Sequence, residues 1–326
     1  MRRVLTWIVL AVILAGSLGT VCGATTVRIA LDWTPNTNHT GILVARAADL
    51  FANEGLEVGI IEPGPTVAIQ LVAAGRAEFG ITSQEYVTIA RSQGLRIVSV
   101  ATLYPHNTSG FASPSDRGIQ SASDLAGKQY GGWGSDMEQA MIETVLEGSG
   151  ADPEAVSILN IGTLDFTSAV RLDVADFYWI YYGWQGVHAE LEGIAFDYLP
   201  LADLAEVLDY YTPVIVVSEA LIAEQPDVIA AFLRALVAGY VQAALQPDDA
   251  AEVLLAYAPE LDRELVVQSQ RWLAQHCEQS VDAWGLQEEI VWTAFADWAA
   301  AHGVIDTAID GRDAFTNDFL PGGSSE

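Results

Sequence analysis

The chain has 326 residues, 51% of them hydrophobic, and a formal net charge of −29 from 43 acidic and 14 basic residues. This length allows a large buried core, and the acidic balance makes nucleic acid and anionic membrane surfaces poor partners. Only two cysteines, Cys22 and Cys277, are present, so we expect no disulfide framework.

The first residues predict an export signal. Arg2 and Arg3 precede the apolar run 7–15, which is too short to span a bilayer comfortably. Cleavage after Ala24 removes those two of the 14 basic residues and none of the 43 acidic ones. The alternative is a lipid anchor at Cys22, which Val21 in front of it disfavours. Both readings place the mature chain outside the cytoplasm, in the periplasm or at the cell surface, with no later segment expected to cross a membrane.

Short apolar strands alternate with amphipathic helices along the rest of the chain, which is typical of an α/β protein. The predicted strands are 27–31, 56–61, 77–81, 96–103, 129–132, 156–160, 176–181 and 211–217. The predicted helices are 41–53, 66–74, one from 84 onward, a turn at 123–127 and 135–147. From Ser218 the chain is expected to be almost wholly helical, and strands 156–160 and 176–181 are expected to be buried.

This order predicts two α/β lobes joined by two chain crossings. The predicted division is a signal peptide at 1–24, a first lobe made of 25–112 with 213–326, and a second lobe made of 113–212. Closure of the lobes would bend the chain near Gly110 and Thr212–Pro213.

Five polar, aromatic segments each follow a predicted strand: 33–39, 82–86, 104–110, 133–136 and 181–184. In open α/β sheets ligands bind beyond the carboxyl ends of the strands, so these segments are expected to line one crevice. The candidate ligand-binding residues are Trp33, Asn36, Asn38, His39, Glu85, Tyr86, His106, Asn107, Trp133, Tyr182, Trp184 and Tyr211. For each of them the alternative is an ordinary structural role, in a core, in a helix cap or, for Glu85, beside a helix dipole.

The composition of these segments indicates the chemistry of the ligand. Aromatic rings offer flat faces to a planar heterocycle, and the Glu85 carboxylate can accept hydrogen bonds from an exocyclic amine. None of the five segments contains Lys or Arg, so a phosphate or sulfonate would lack its counter-charge. A neutral or weakly cationic aromatic compound is favoured.

Catalytic and metal-binding patterns are absent from the sequence. There is no Gly-x-Ser-x-Gly elbow, and the five histidines lack metal-ligand spacing. The glycine-rich stretch 131–134 lacks the lysine of a phosphate-binding loop. We therefore expect no catalytic residues, no metal and no cofactor.

The same segments resemble the family that includes fungal thiamine-pyrimidine synthases and bacterial binding proteins for thiamine-pyrimidine precursors, formylaminopyrimidine among them. The matching stretches run in order: 31–41, 84–85, 106–112, 130–135, 182–184, 209–214 and 314–321. The resemblance implies a type II periplasmic-binding-protein fold whose lobes close on N-formyl-4-amino-5-aminomethyl-2-methylpyrimidine. It also implies an ABC permease and its ATPase as partners, in salvage of a thiamine precursor.

The resemblance also implies roles for single residues. The pyrimidine would stack on Trp33 and an aromatic of the facing lobe, Glu85 would bind its 4-amino edge, and Asn38 and His106 would serve its other polar groups. Thr82 and Tyr86 occupy the places where the fungal synthases carry a lysine and a histidine, and the cysteine-rich motif of those enzymes is missing. These departures disfavour a pyrimidine-acting enzyme. Riboflavin or hydroxymethylpyrimidine remains the alternative ligand.

Overall fold

A computed structural model describes residues 24–62 and 67–323. The predicted signal peptide, the alternative anchor at Cys22 and the predicted helix start at Thr66 lie outside the described residues.

The chain forms two mixed five-stranded sheets with helices packed on them. Their strand orders are β2-β1-β3-β10-β4 and β7-β6-β8-β5-β9. The strands are β1 (Thr25–Ala30), β2 (Leu56–Ile61), β3 (Phe79–Thr82), β4 (Ile97–Thr102), β5 (Ser109–Pro114), β6 (Gln129–Gly132), β7 (Ser157–Asn160), β8 (Phe177–Tyr181), β9 (Phe196–Pro200) and β10 (Val214–Ser218). In the first sheet β10 runs antiparallel to both neighbours, as β5 does in the second.

Thirteen α-helices connect and cover the sheets within the described residues. They are α1 (Thr40–Ala47), α2 (Leu50–Asn53), α3 (Ala68–Ala73), α4 (Gln84–Ser92), α5 (Asp136–Ser149), α6 (Phe166–Arg171), α7 (Val187–Leu191), α8 (Leu201–Leu204), α9 (Glu219–Glu224), α10 (Pro226–Leu245), α11 (Pro247–Tyr257), α12 (Arg263–Ala274) and α13 (Glu289–Ala301). The predicted single helix at 41–53 is two helices, because Asp49 adopts the left-handed conformation with φ 55°.

Helix α10 is the central helix of the first lobe. Its 20 residues have a mean hydropathy of 1.8, so by length and composition it could cross a membrane, which the sequence analysis did not expect. Two thirds of that window (67%) is buried inside the protein. A side chain at Gly239 would come within 2.3 Å of the Gly41 carbonyl oxygen, so α1 and α10 approach closely. Burial in the core of the lobe accounts for the apolar composition.

The chain passes between the sheets at 103–108 and again at 209–213. Strand β5 already belongs to the second sheet from Ser109 onward, so placing 109–112 in the first lobe was wrong. A side chain at Gly110 would lie 2.5 Å from the Leu199 carbonyl oxygen, so Gly110 is fixed inside the sheet rather than at a hinge. The sequence of β5 is rich in small residues, which is typical of a loop. For this reason the strand was not predicted and the lobe boundary was placed too late in the chain.

The C-terminal helices do not belong to the first lobe alone, contrary to the predicted division. On α13, Trp292 is buried in a cluster with Val214 of the first sheet, whereas Phe295 and Trp298 are buried in the core of the second lobe. The Trp298 indole N–H donates to Thr144 Oγ1 on α5 at 2.9 Å. Helix α13 therefore braces both lobes.

Two further expectations fail at the edges of the second sheet. Strand β7 was expected to be buried, but all four of its residues are exposed, because it is an edge strand. Strand β9, at the opposite edge, was not anticipated from the sequence.

Candidate ligand-binding cleft

The carboxyl ends of parallel strands bring the candidate segments to facing edges of the two sheets. Strands β1 and β3 are parallel neighbours in the first sheet, and β6 and β8 are parallel neighbours in the second. The loop with Trp33 follows β1 and the start of α4 follows β3, while Trp133 follows β6 and Tyr181 ends β8. This is where ligands bind in open α/β sheets.

The loop 32–39 is built by its own polar side chains. Asn36 Oδ1 accepts from the Asn38 backbone N–H at 2.9 Å, and the Asn36 N–H donates to His39 Nδ1 at 3.2 Å. His39 Nε2 lies 2.8 Å from Asp32 Oδ1. Asn36 and His39 are buried, so their side chains hold the loop together instead of lining a cleft. Trp33, at 61% exposure, is left facing solvent.

Two tyrosines fix Asn38 from behind. Tyr240 donates to its backbone carbonyl at 2.7 Å, and Tyr104 donates to its Oδ1 at 3.1 Å. Both hydroxyls come from the core of the first lobe. The side-chain oxygen of Asn38 is therefore occupied, and its side-chain NH₂ group remains as the group that can donate to a ligand.

Glu85 is a buried carboxyl group in the first turn of α4. It is 5% exposed, and its Oε2 accepts from the Tyr210 hydroxyl at 2.8 Å. Burial raises the pKa of Glu85 to about 7; the Tyr210 hydrogen bond lowers it and the negative charge of Glu138 raises it further. Near neutral pH this carboxyl group is present in both protonation states, as donor and acceptor or as acceptor only.

Aromatic side chains of both lobes surround Glu85. Tyr86 is 57% exposed, and its pKa is raised by burial and by the charges of Glu85 and Glu138. Burial also raises the pKa of Tyr181, with a further contribution from Glu85. Tyr181 and Glu138 belong to the second lobe, so Glu85 lies where the lobes face each other. The charges that raise the pKa values of Glu85, Tyr86 and Tyr181 come from acidic groups, Glu138 among them.

A second carboxylate positions Trp133. Glu138 is fully buried and accepts from the Tyr130 hydroxyl at 2.7 Å and from the Trp133 backbone N–H at 2.9 Å. Ser135 and Glu138 also form a reciprocal capping box at the start of α5. A side chain at Gly132 would lie 2.2 Å from Glu138 Oε1, so glycine is required there. The result is a fixed backbone from which Trp133 projects with 47% exposure.

His106 and Asn107 tie the two chain crossings together. His106 Nδ1 lies 2.7 Å from Asp209 Oδ2, and the Asn107 N–H donates to Asp209 Oδ1 at 2.8 Å. The Asn107 side chain donates to the Leu208 carbonyl at 2.8 Å and accepts from Ser109. Asn107 is buried, and its side-chain amide is occupied by these hydrogen bonds. The His106 ring is exposed and retains a free edge.

The remaining candidates pack against protein. Tyr182 stacks on Trp272 with ring centroids 5.1 Å apart, and Trp184 packs on an apolar cluster around Leu43. Tyr211 is buried, and its hydroxyl accepts from the Glu288 N–H at 2.9 Å. We therefore leave these three, together with Asn36, His39 and Asn107, out of the ligand contacts proposed below.

A contact that the sequence did not reveal links the Trp33 loop to the second lobe. The Thr37 and Ser269 hydroxyls lie 2.5 Å apart, and Ser269 donates to the Gly183 carbonyl. Ser269 is on α12, and Gly183 is in the π-helical turn after β8. Because Ser269 gives its proton to Gly183, Thr37 must donate to Ser269. No short-range sequence pattern signals a bond between residues 232 positions apart.

Two cavities of the described chain lie elsewhere. One is bounded by Thr37, Tyr104, Tyr240 and Cys277, behind the Trp33 loop, and the other lies between α1, α10 and α11. Neither is lined by Trp33, Glu85, Tyr86 or Trp133. Trp33, Tyr86 and Trp133 are each exposed, so the strand ends from which they project are open to solvent.

Comparison with known proteins supports the relationship suggested by these residues. The family described as "NMT1/THI5 like" matches residues 36–250. A formylaminopyrimidine-binding protein of Halalkalibacterium halodurans is 32% identical over 299 residues, 90% of each chain. This chain belongs to the NMT1/THI5-like family. Riboflavin-binding protein RibY of Chloroflexus aurantiacus is 28% identical over 91% of this chain and 87% of its own length.

One of the similar proteins is named as an enzyme. A 4-amino-5-hydroxymethyl-2-methylpyrimidine phosphate synthase of Legionella pneumophila is 25% identical over 90% of this chain and 92% of its own length. Among solved structures, the periplasmic aliphatic sulphonate binding protein SsuA of Escherichia coli superposes with a TM-score of 0.71 at 13% identity, covering 89% of this chain and 91% of that one. The type II periplasmic-binding-protein fold is thereby confirmed.

Proposed function

We propose that this chain is the extracytoplasmic substrate-binding protein of an ABC importer and that it captures N-formyl-4-amino-5-aminomethyl-2-methylpyrimidine. The observation that carries the proposal is a buried carboxyl group, Glu85, close enough to the second lobe to feel the charge of Glu138. Exposed aromatic rings follow the ends of strands in both lobes: Trp33 after β1, Tyr86 after β3 and Trp133 after β6. The 32%-identical formylaminopyrimidine-binding protein, similar over 90% of both chains, supports the ligand.

The chemistry of Glu85 fits an aminopyrimidine edge. A protonated carboxyl group offers one O–H donor and one C=O acceptor side by side. A 4-aminopyrimidine offers the complementary pair, a ring-nitrogen acceptor and an amino donor. Burial raises the pKa of Glu85 to about 7, which keeps the protonated form available near neutral pH. The Tyr210 hydroxyl donates to Oε2. This hydrogen bond fixes the orientation of the carboxyl group whose O–H and C=O would bind the ligand.

The aromatic rings can stack on a planar ligand whatever the charge of that ligand. Trp33 comes from the first lobe and Trp133 from the second, so closure of the lobes can place a flat ring between them. Each stacked ring contributes about 1–3 kcal/mol in comparable base–aromatic contacts. The acidic surroundings of Glu85 disfavour an anionic ligand, such as a phosphorylated pyrimidine.

Riboflavin is the second candidate, because RibY is 28% identical over most of both chains. The two ligands are separated by calorimetric titration of residues 25–326 with each compound. Binding of the formylaminopyrimidine alone supports the proposal, and binding of riboflavin alone contradicts it. Incubation of the same protein with either compound, followed by chromatography, should show no product. Turnover would favour the synthase-like branch of the family instead.

A further inference from the structure

Four tryptophans of the described chain are buried, and two of them have a hydrogen-bond partner for the indole N–H. Trp292 donates to Gln287 Oε1 at 3.2 Å, and Trp298 donates to Thr144 Oγ1 at 2.9 Å. Burial raises the pKa of the Cys277 thiol, and the Trp284 N–H beside that thiol acts in the opposite direction. A buried indole N–H normally finds such a partner, since leaving it unpaired is costly.

The indole N–H groups of Trp179 and Trp284 both lack a hydrogen-bond partner among the described residues. Trp284 lies in the core of the first lobe beside the Cys277 thiol, so the unpaired indole of the second lobe is that of Trp179. Trp179 is 8% exposed, and its Nε1 is buried with no hydrogen-bond partner among the described residues. The unpaired donor is on β8, in register with Phe111 of β5. A sequence reading passes over it, because an aromatic residue inside a buried strand looks like ordinary core.

The neighbours of Trp179 place it at the cleft. Its ring packs edge-on against Trp133 with centroids 5.8 Å apart, and it lies 5.8 Å from the ring of Tyr181. Both neighbours are cleft residues: Trp133 is half-exposed, and Tyr181 lies near enough to Glu85 to feel its charge. The unpaired N–H therefore belongs to the wall of the second lobe that faces Glu85.

We propose that the Trp179 indole N–H is the specificity-determining donor of the second lobe and that it binds the formyl oxygen of the ligand. This inference rests on the proposed function. The ligand carries its amino group at C4 and its formylated side arm at the neighbouring C5 of one ring, and the flexible arm lets Glu85 in one lobe and Trp179 in the other bind different groups of it. A pyrimidine without a carbonyl on the side arm leaves the N–H unpaired and is selected against.

Trp133 is the exposed ring that packs against Trp179. Its side chain is 47% exposed and is held by edge contact with Trp179, while its backbone is fixed by Glu138. A rotation about the side-chain torsions moves the ring without moving the strand end. Entry of the side arm and rearrangement of Trp133 would then occur together, and the rearranged ring becomes the stacking partner in the second lobe.

The test compares two ligands on the wild type and on Trp179→Phe, which keeps an aromatic ring and removes the N–H. The ligands are the formylaminopyrimidine and 4-amino-2,5-dimethylpyrimidine, which has the same amino edge and no carbonyl. We expect Trp179→Phe to weaken binding of the formyl compound about tenfold and to leave the dimethyl compound unchanged. Trp298→Phe, which removes an N–H bonded to Thr144, is the matched control and should change neither affinity.

Equal losses for both ligands, or no loss for the formyl compound, would overturn the inference while leaving the proposed function intact. Failure of the wild type to bind either pyrimidine would instead overturn the proposed function, and this inference with it.

A second measurement does not depend on the affinity of a variant. The indole ¹H–¹⁵N resonance of Trp179, assigned by its loss in Trp179→Phe, should shift downfield when the formyl compound is added. An unmoved resonance in a saturated protein contradicts the hydrogen bond.

Discussion

The hydroxyl of Tyr210 donates a 2.8 Å hydrogen bond to Glu85 Oε2. Tyr210 lies on the segment by which the chain returns from the second sheet to the first, and Glu85 begins α4 beside the first sheet. The carboxyl group proposed to bind the ligand is thus fastened to one of the two crossings. If the ligand binds at Glu85 as proposed, this bond connects the binding site to the segment between the two sheets.

Replacement of Glu85 by Gln should change how stability depends on pH. Burial raises the folded-state pKa from 4.5 to about 7, so between these values the folded state holds a proton that the unfolded state has lost. The free energy of unfolding therefore falls as pH rises from 4.5 through 7. Glu85→Gln should flatten this fall and be the more stable protein at pH 8, by at most about 3 kcal/mol.

Urea denaturation at pH 4.5 and pH 8 measures this difference. Glu147→Gln is the control. Glu147 is exposed to solvent, so this substitution should leave the pH dependence of stability unchanged. A Glu85→Gln curve parallel to that of the wild type would mean that Glu85 is not titrating in this range.

Ligand affinity should fall at high pH. If the protonated carboxyl group of Glu85 binds the aminopyrimidine edge, then above its pKa of about 7 binding must take up a proton. Each further pH unit should raise the dissociation constant by up to about tenfold. Glu85→Gln presents an N–H donor and a C=O acceptor at every pH, so its affinity should not change between pH 7 and pH 9. Calorimetry in buffers of different ionisation enthalpy reports the proton directly, and no uptake by the wild type at pH 8 argues against this role.

Removal of the exposed indole should affect binding and spare folding. Trp33 is 61% exposed, so Trp33→Ala removes little buried surface, and we expect a near wild-type free energy of unfolding. Affinity should fall by about 1–3 kcal/mol, the value of one stacked ring. Trp33→Phe retains a flat face and should lose less. An unchanged dissociation constant for Trp33→Ala would remove Trp33 from the site.

The hydroxyl of Ser269 should connect ligand affinity to the second lobe. Ser269→Ala removes the bond to the Gly183 carbonyl and leaves the buried Thr37 hydroxyl without its acceptor. We expect a loss of stability of about 1–3 kcal/mol and weaker ligand binding, because the Trp33 loop loses its connection to the opposite lobe. Ser92→Ala, which affects only a hydroxyl bonded within its own helix, is the control. Stability loss with unchanged affinity would make the contact purely structural.

Asp209 should matter more than the histidine it contacts. His106 is largely exposed, so its contact with Asp209 contributes at most about 1 kcal/mol, and His106→Ala should cost little stability. Asp209→Ala also removes the acceptor of the Asn107 backbone N–H and should destabilise more. Equal losses of stability in the two variants, measured by urea denaturation, would contradict this order.

The sequence predicts the two-lobed fold well because each helix and strand in its core is strongly patterned. Strand β4, for example, is a mostly apolar and wholly buried run, and β10 begins with four consecutive apolar residues. Strand β5 escapes because Ser109-Gly-Phe-Ala-Ser-Pro114 is small and polar in composition, although it is nearly all buried. Its burial comes from pairing with β8 and β9, which a local pattern does not contain.

The same limit applies to the candidate site. Polarity marks Asn36 and His39 as interesting, but the same polarity is what an N-terminal capping network requires. Asn36 and His39 are buried whereas Trp33 is exposed, and this difference can be seen only in the folded chain. Trp179 shows the converse: its indole looks like core in sequence, and only the three-dimensional count of partners reveals an unused donor.

The most direct test of the central claim is the calorimetric titration of residues 25–326 with N-formyl-4-amino-5-aminomethyl-2-methylpyrimidine at pH 6.5, where Glu85 is mostly protonated. We predict saturable one-to-one binding that Trp33→Ala weakens, and no heat with riboflavin. Binding of riboflavin alone, or no heat with either compound, would contradict the proposed ligand.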